Sequence, residues 1–270
     1  MNIDKYTKNL KNINGIWYAD KKRELSYMEG GNDMCYQVED NSFWFNHRNK
    51  CIIELVKKYS PGRLFFDVGG GNGFVSKGIE SIGTETVLVE PGEQGCINAQ
   101  KRKLPNIICS TLEDAGFDKD SIPSIGVFDV VEHIKDDVGI LKSIHSYLEK
   151  DGLVYITVPA YNMLWSEEDN VGGHFYRYTL ASLSDKLKKA GFENVFATYI
   201  FSVLPLPIFL MRTIPSKLGF KKKSYSATEN QNEHRSPGLL DKVWAWELER
   251  MKKGKPISFG GSCLVVARKV

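Results

Sequence analysis

Residues 65–73 read Phe65-Phe66-Asp67-Val68-Gly69-Gly70-Gly71-Asn72-Gly73. Phe65, Phe66 and Val68 carry the signal of a buried strand. The glycines that follow let the backbone take positive φ and let another group approach it closely. Residues 74–82 read as the next helix. A strand, a glycine turn and a helix form a ligand cradle at the carboxyl edge of a parallel sheet.

The spacing separates three ligands. A phosphate-binding loop needs Gly-x-x-x-x-Gly-Lys-Ser/Thr, and no Gly-Lys-Ser/Thr follows here. A dinucleotide fold needs Gly-x-Gly-x-x-Gly/Ala, whose last small residue lets helix and strand pack closely. Counted from Gly69 and Gly71, that position is Phe74, whose ring would crowd a pyrophosphate. What remains is Asp-x-Gly-x-Gly-x-Gly, as Asp67, Gly69, Gly71 and Gly73. An acid ahead of the glycines repels a phosphate. It suits a cationic ligand bearing an amino group and a sulfonium.

Working outward, residues 86–90 read as a second strand ending in Glu90, one βα unit after Asp67. An acid at that tip can accept hydrogen bonds from ribose hydroxyls, which alone would fit a nicotinamide cofactor equally well. Residues 107–109 are a short third strand. Gly126-Val-Phe-Asp-Val-Val-Glu-His-Ile134 carries the end of a fourth strand, with His133 just past it, and Lys135-Asp136-Asp137 starts a helix with acids in its first turn. Leu148–Pro159 contains a turn at Asp151-Gly152 and then a fifth apolar run.

In order and spacing these segments resemble class I S-adenosylmethionine-dependent methyltransferases. The resemblance implies an α/β fold: a doubly wound, Rossmann-like sheet of seven strands, mostly parallel with an antiparallel last strand. It implies S-adenosylmethionine as cofactor, with S-adenosylhomocysteine as product. The cofactor residues carried over are Asp67, Gly69, Gly71, Gly73, Glu90 and Pro91, then Leu112 and Glu113 for the adenine, with Asp114 an alternative. Phe128 and Asp129 would flank the methionine part, and either Asp129 or Asp67 would meet its amino group.

Pro159–Tyr178 follows the fifth strand, where open α/β sheets bind ligands. It concentrates Tyr161, Trp165, His174, Tyr176, Arg177 and Tyr178. Trp165-Ser-Glu-Glu-Asp169 and Gly173-His-Phe-Tyr-Arg-Tyr178 resemble a pattern in bacterial small-molecule methyltransferases of the ubiquinone-biosynthesis type. Tyr161, Trp165, Arg177 and Tyr178 would then shape an acceptor pocket. Arg177 suits a carboxylate or phosphate, although Arg177 and Tyr178 could equally staple the loop onto the helix at Leu180–Ala190. His133 and His174 are candidate bases, since histidine accepts protons near neutrality. A Glu132–His133 pair capping the next helix is the plainer role for His133.

Residues 1–60 are expected to form an N-terminal helical cap, with Gly30–Asp33 a loop and 42–59 a helix capped by Ser42. Its Phe43-Trp44-Phe45-Asn46-His47-Arg48 cluster suits either a pocket lid or core packing; as a lid it would bring Trp44, His47 and Arg48 to the acceptor. Residues 61–270 are expected to be the methyltransferase domain, with a substrate loop at 159–179 and a helical insertion at 201–258. Residues 193–200 and 262–268 would form the antiparallel edge pair. The insertion far exceeds what a hairpin needs. Its apolar run at 201–211 is proline-broken and too short to span a bilayer. Residues 219–237 are polar, and Leu239–Met251 is amphipathic. The insertion reads as a lid or a dimer surface. A sharper alternative is an apolar patch meeting a lipid-linked substrate, with Lys221–Lys223 facing anionic headgroups.

Composition bounds the function. The chain of 270 residues is 42% hydrophobic and 26% charged with net charge +3, as expected of a globular enzyme and too weakly basic for nucleic acid. Cysteines 35, 51, 96, 109 and 263 form no Cys-x-x-Cys, which argues against a zinc site and a disulfide framework. With no apolar leader at residues 1–6, the expected setting is cytoplasmic, as a monomer or homodimer, with peripheral membrane contact left open. The acceptor would be a small molecule, a sugar or a lipid-linked compound, methylated on O or N. Two other readings are a catalytically inactive, cofactor-binding regulatory protein and a nicotinamide-dependent oxidoreductase.

Overall fold

The structure is a computed structural model that describes residues 3, 6–7, 10–20, 30–60, 62–219 and 238–270. Lys221–Lys223 and most of the polar stretch 219–237 lie outside the described residues. One sheet of nine strands runs through the molecule in the order β1-β2-β5-β4-β3-β6-β7-β9-β8. The strands are β1 (Leu10–Ile13), β2 (Ile16–Ala19), β3 (Phe65–Val68), β4 (Thr86–Val89), β5 (Ile107–Cys109), β6 (Ile122–Phe128), β7 (Leu148–Pro159), β8 (Phe192–Ile200) and β9 (Ser262–Lys269).

β3, β4, β5, β6 and β7 run parallel. β9 lies antiparallel between β7 and the edge strand β8. The seven expected strands are therefore present in the expected sense. β3 and β4 are buried along their whole length, because helices cover both faces of the sheet and their sequence is accordingly apolar without alternation. Successive residues still point to opposite faces. Phe66 joins the core under α5 (Asp137–Tyr147) and α7 (Leu180–Lys189), and Phe65 joins the core under α2 (Phe43–Tyr59) and α3 (Phe74–Glu80).

From β3 the chain winds outward to β4 and β5, then returns to the other side of β3 for β6 and β7. The order reverses between β3 and β6. A crevice opens at such a switch point, beyond the carboxyl ends of the strands.

The expected N-terminal helical cap also carries a β-hairpin. β1 and β2 form a hairpin through Asn14 and Gly15, both at positive φ, the backbone that an Asn-Gly turn favours. β2 then adds to β5 in parallel, so the hairpin extends the sheet and occupies what would otherwise be its edge. Gly30–Asp33 is likewise no loop, since α1 (Gly31–Val38) begins there behind Gly30. The helix α4 (Glu93–Lys101) follows β4. Ser42 precedes α2, but its side chain makes no capping hydrogen bond.

After β8 the insertion forms a helical segment, α8, over 205–217. It is α-helical at Pro205–Ile208, widens to a π turn at Phe209–Thr213 and is α-helical again at Ile214–Lys217. The next described helix, α9 (Leu239–Lys252), packs on α2. Trp44 stacks on Phe201 at 3.9 Å between ring centres, and Phe43 stacks on Trp244. No helix of the described residues is long and apolar enough to cross a membrane.

Candidate active site

The glycine loop leaves β3 with Gly69, Gly71 and Gly73 all at positive φ. A Cβ on Gly69 would stand 2.7 Å from Val130, and one on Gly73 would collide with Leu104. Both backbone shape and space therefore demand glycine here. Asp67 is fully buried beneath the loop. Its Oδ2 accepts from the Ser76 N–H (3.1 Å) and hydroxyl (2.7 Å) in the first turn of α3, and its Oδ1 has no hydrogen-bond partner among the described residues. Burial raises its pKa to about 6 against the pull of those bonds and of Arg48. Asp67 thus ties β3 to α3 and keeps one oxygen uncommitted.

Glu90 stands just past the tip of β4. Its Oε2 accepts from Gly71 N–H (2.9 Å) and its Oε1 from Gly92 N–H (2.7 Å). Burial lifts its pKa to about 7 although both bonds oppose the shift. Each oxygen keeps a second lone pair, so the carboxylate can still receive ribose hydroxyls. Pro91 follows directly and is half-buried. Leu112 is packed in the core, and Glu113 accepts from the Ser143 hydroxyl on α5.

Phe128 ends β6 and stacks on Phe65. Asp129 follows with φ 56°. It pairs with Arg48 of α2 and accepts from Thr157 Oγ1 at 2.9 Å. These positions fit an S-adenosyl group: a Cβ-free cradle, a carboxylate for the ribose, an orphaned oxygen on Asp67 and a second acid at Asp129.

Sequence reasoning missed α1. Asn32 lies over the cradle, since a Cβ on Gly92 or Gly95 would meet its amide nitrogen at 2.8 or 2.9 Å. Asp33 accepts from Gln94 and Asn98 of α4, both at 2.9 Å. The only signal was a pair of polar residues behind two glycines, which reads equally well as a turn.

Across the crevice, Val131–His133 forms a short 3-10 turn after β6. The His133 and His174 rings meet edge to face with centres 4.7 Å apart. His174 bonds through Nδ1 to Asp169 Oδ1 at 2.9 Å. Burial alone would raise the pKa of Asp169, but the bonds from His174 and Arg177 outweigh it and hold the group below the usual carboxylate range. Burial and the neighbouring His174 lower the pKa of His133 to about 4, so it is neutral at physiological pH. Glu132 is buried, has an unpartnered Oε2 and is raised by burial to about 8. Asp169 is a second residue that the sequence quoted without a role. It closes a capping box with Ser166 at the start of α6 (Glu167–Gly172), and its other oxygen orients His174.

Several expected acceptor residues sit elsewhere. Tyr178 is 1% exposed and donates its hydroxyl to Asp137 on α5 at 3.0 Å, so it belongs to the core. Arg177 spends its guanidinium on Asp169 (2.7 Å) and the Ala160 carbonyl (3.1 Å). It staples the loop to itself rather than meeting an anion. His47 is buried against Glu247 of α9 at 2.8 Å, and with Trp44 it forms the joint between α2 and the insertion. Arg48 of that cluster reaches Asp129 in the crevice, lying over Phe45, which packs on Phe74 beside the glycine loop. Trp165 donates to Asn170 at the loop surface. Tyr161, at φ 57°, stacks on Tyr199 and Phe259 and lines an apolar recess of about 130 Å³ with Met163, Leu206 and Phe209.

A glycine cradle, acids at successive strand tips and a histidine pair beyond the switch point thus stand together on a Rossmann-like fold. The methyltransferase-domain family model matches residues 45–196, and the chain belongs to that family. Solved structures agree in fold at low identity. Phosphoethanolamine N-methyltransferase 2 of Haemonchus contortus, solved with phosphomonomethylethanolamine and S-adenosylhomocysteine, is 17% identical with a TM-score of 0.56; the match covers 90% of this chain and 57% of that one. The chain thus spans little more than half of that relative's length. A methyltransferase solved with the Haloferax volcanii Trm112 activator is 16% identical (TM-score 0.56; 91% of this chain, 99% of that one). A methyltransferase from Thermotoga maritima is 17% identical (TM-score 0.54; 88% and 99%). No curated protein matches the chain.

Proposed function

We propose that the chain moves a methyl group from S-adenosylmethionine to an oxygen or nitrogen of a small-molecule, sugar or lipid-linked acceptor, in the cytoplasm. In this reading Glu90 holds the ribose, Leu112 and Glu113 border the adenine, and Asp129 or the orphaned oxygen of Asp67 receives the amino group. The donor carbon already carries a good leaving group, so alignment and exclusion of water supply most of the rate. A hydroxyl or protonated amine must also lose a proton. The observation that carries the reading is the His133–His174 pair across the crevice from the glycine loop, backed by Asp169. A buried acid that fixes a histidine's orientation and tautomer is a device for proton acceptance. The apolar recess at Tyr161 and Phe259 offers room for an uncharged part of the acceptor. The Arg177 guanidinium is committed to Asp169 and the Ala160 carbonyl rather than to selecting an anionic one.

The test is formation of S-adenosylhomocysteine when the protein meets pools of phenols, amines, glycans and lipid-linked sugars, followed by mass spectrometry of the methylated product. Cofactor binding without turnover on any pool would favour the regulatory reading. Binding of NAD in preference to S-adenosylmethionine would favour the oxidoreductase.

A further inference from the structure

We propose that Glu132, His133 and His174 form a binding site for one divalent transition-metal ion. The three residues come from two places far apart in sequence, the turn after β6 and the loop after α6, and meet in the crevice. One ligand atom from each lies within 4.8 Å of the others, a spread that small side-chain rotations close onto an ion with bonds of about 2.0–2.2 Å. Two imidazoles and one carboxylate are a donor set that borderline metals take, and it leaves coordination positions open for an outside ligand.

Two further observations point to an occupant. Glu132 is 1% exposed, and its Oε2 has no hydrogen-bond partner. A buried carboxyl group with an unmatched oxygen is costly whether it is charged or protonated, and a cation that displaces its proton removes the cost. His174 is held through Nδ1 by Asp169, the carboxylate–histidine arrangement that orients a metal-ligating ring and raises its basicity. The backbone of Gly172 and Gly173 lies against the His133 ring, which packs edge to face on His174. The nearby cations do not cancel the site, since Arg48 is paired with Asp129 and Arg177 with Asp169.

An ion here would polarise an acceptor hydroxyl bound in an open position, and solvent would take the released proton. With an ion bound, His133 and His174 would serve as ligands, and the ion would take over the proton-removal role that the proposed function gives to the histidine pair. The inference about binding holds whatever the acceptor is.

The experiment is titration of chelator-treated full-length protein with Co²⁺, read by visible absorption, and with Zn²⁺, read by calorimetry. One equivalent should bind with a tetrahedral or five-coordinate cobalt spectrum. E132Q, H133A and H174A should each weaken binding at least tenfold, and D169N should weaken it about tenfold through His174. Far-ultraviolet circular dichroism and S-adenosylmethionine affinity check that each variant is folded. If folded H133A and H174A bind both ions as tightly as the parent, or the parent binds neither ion above millimolar background, the inference is overturned. Neither outcome touches the methyl-transfer reading, which is scored on S-adenosylhomocysteine formation.

Discussion

At the scale of single residues, Asp67 and Glu90 look alike in the sequence and differ in the structure. Asp67 spends Oδ2 on Ser76, so Asp67→Ala removes a helix tie as well as a cofactor contact. It is expected to cost about 1–3 kcal/mol of stability in urea unfolding, in addition to affinity. Glu90→Gln should keep the fold and lower S-adenosylmethionine affinity at least tenfold, about 1.4 kcal/mol. The pH dependence follows from the raised pKa of about 7. The carboxylate form accepts from the ribose, so affinity should rise as pH climbs through 7 and fall by up to tenfold per unit below it. Glu90→Gln should flatten that slope in calorimetry; an unchanged slope assigns it to another group. His133→Ala and His174→Ala should each lower turnover about 100-fold or more while cofactor affinity changes less than threefold. These residue types were legible because a glycine at positive φ and an acid at a strand tip leave little choice of side chain. Tyr178, Arg177 and His47 were not, because a polar aromatic or cation in a loop looks the same whether its partner is a ligand or Asp137, Asp169 or Glu247.

At the scale of elements, β3 to β7 were legible because both faces of those strands are buried, which leaves a continuous apolar signal. The hairpin of β1 and β2 carried a usable sign in Asn14-Gly15, but its strands are short and β1 is largely exposed, so no apolar run announced them. α1 was hidden because it docks through amides and acids rather than an apolar face. That docking sets an expectation. Asp33 joins α1 to α4 through Gln94 and Asn98, and Asn32 stands over Glu90. Asp33→Ala should loosen the cover, and S-adenosylmethionine should leave at least threefold faster in stopped-flow competition, with little change in melting temperature. Equal dissociation rates would make α1 a passive neighbour of the cradle.

At the scale of the whole molecule, the family match ends near β8, and one buried acid helps to fasten what lies beyond. Glu247 accepts from Phe201 N–H (3.0 Å), Ser202 N–H (2.7 Å), the Ser202 hydroxyl (2.7 Å) and His47 (2.8 Å). It therefore joins α9 to the end of β8 and to α2. Burial opposes its charge, yet the bonds from His47 and Ser202 hold its pKa below the ordinary value. A depressed carboxylate contributes stability above the unfolded pKa near 4.5 that is lost as pH falls through the folded value. Glu247→Ala strands several buried donors at once, so a loss of about 3–5 kcal/mol is expected. Cleavage by protease should appear first within 201–258. Among the described residues no hydrogen bond joins Glu247 to the cradle at β3 and β4, so cofactor binding should persist wherever the variant remains folded. His47→Ala should reproduce part of the loss, and a double-mutant cycle should return a coupling above about 1 kcal/mol. Uniform proteolysis across the chain, with cofactor affinity lost in parallel, would mean that the insertion and the cradle unfold as one unit.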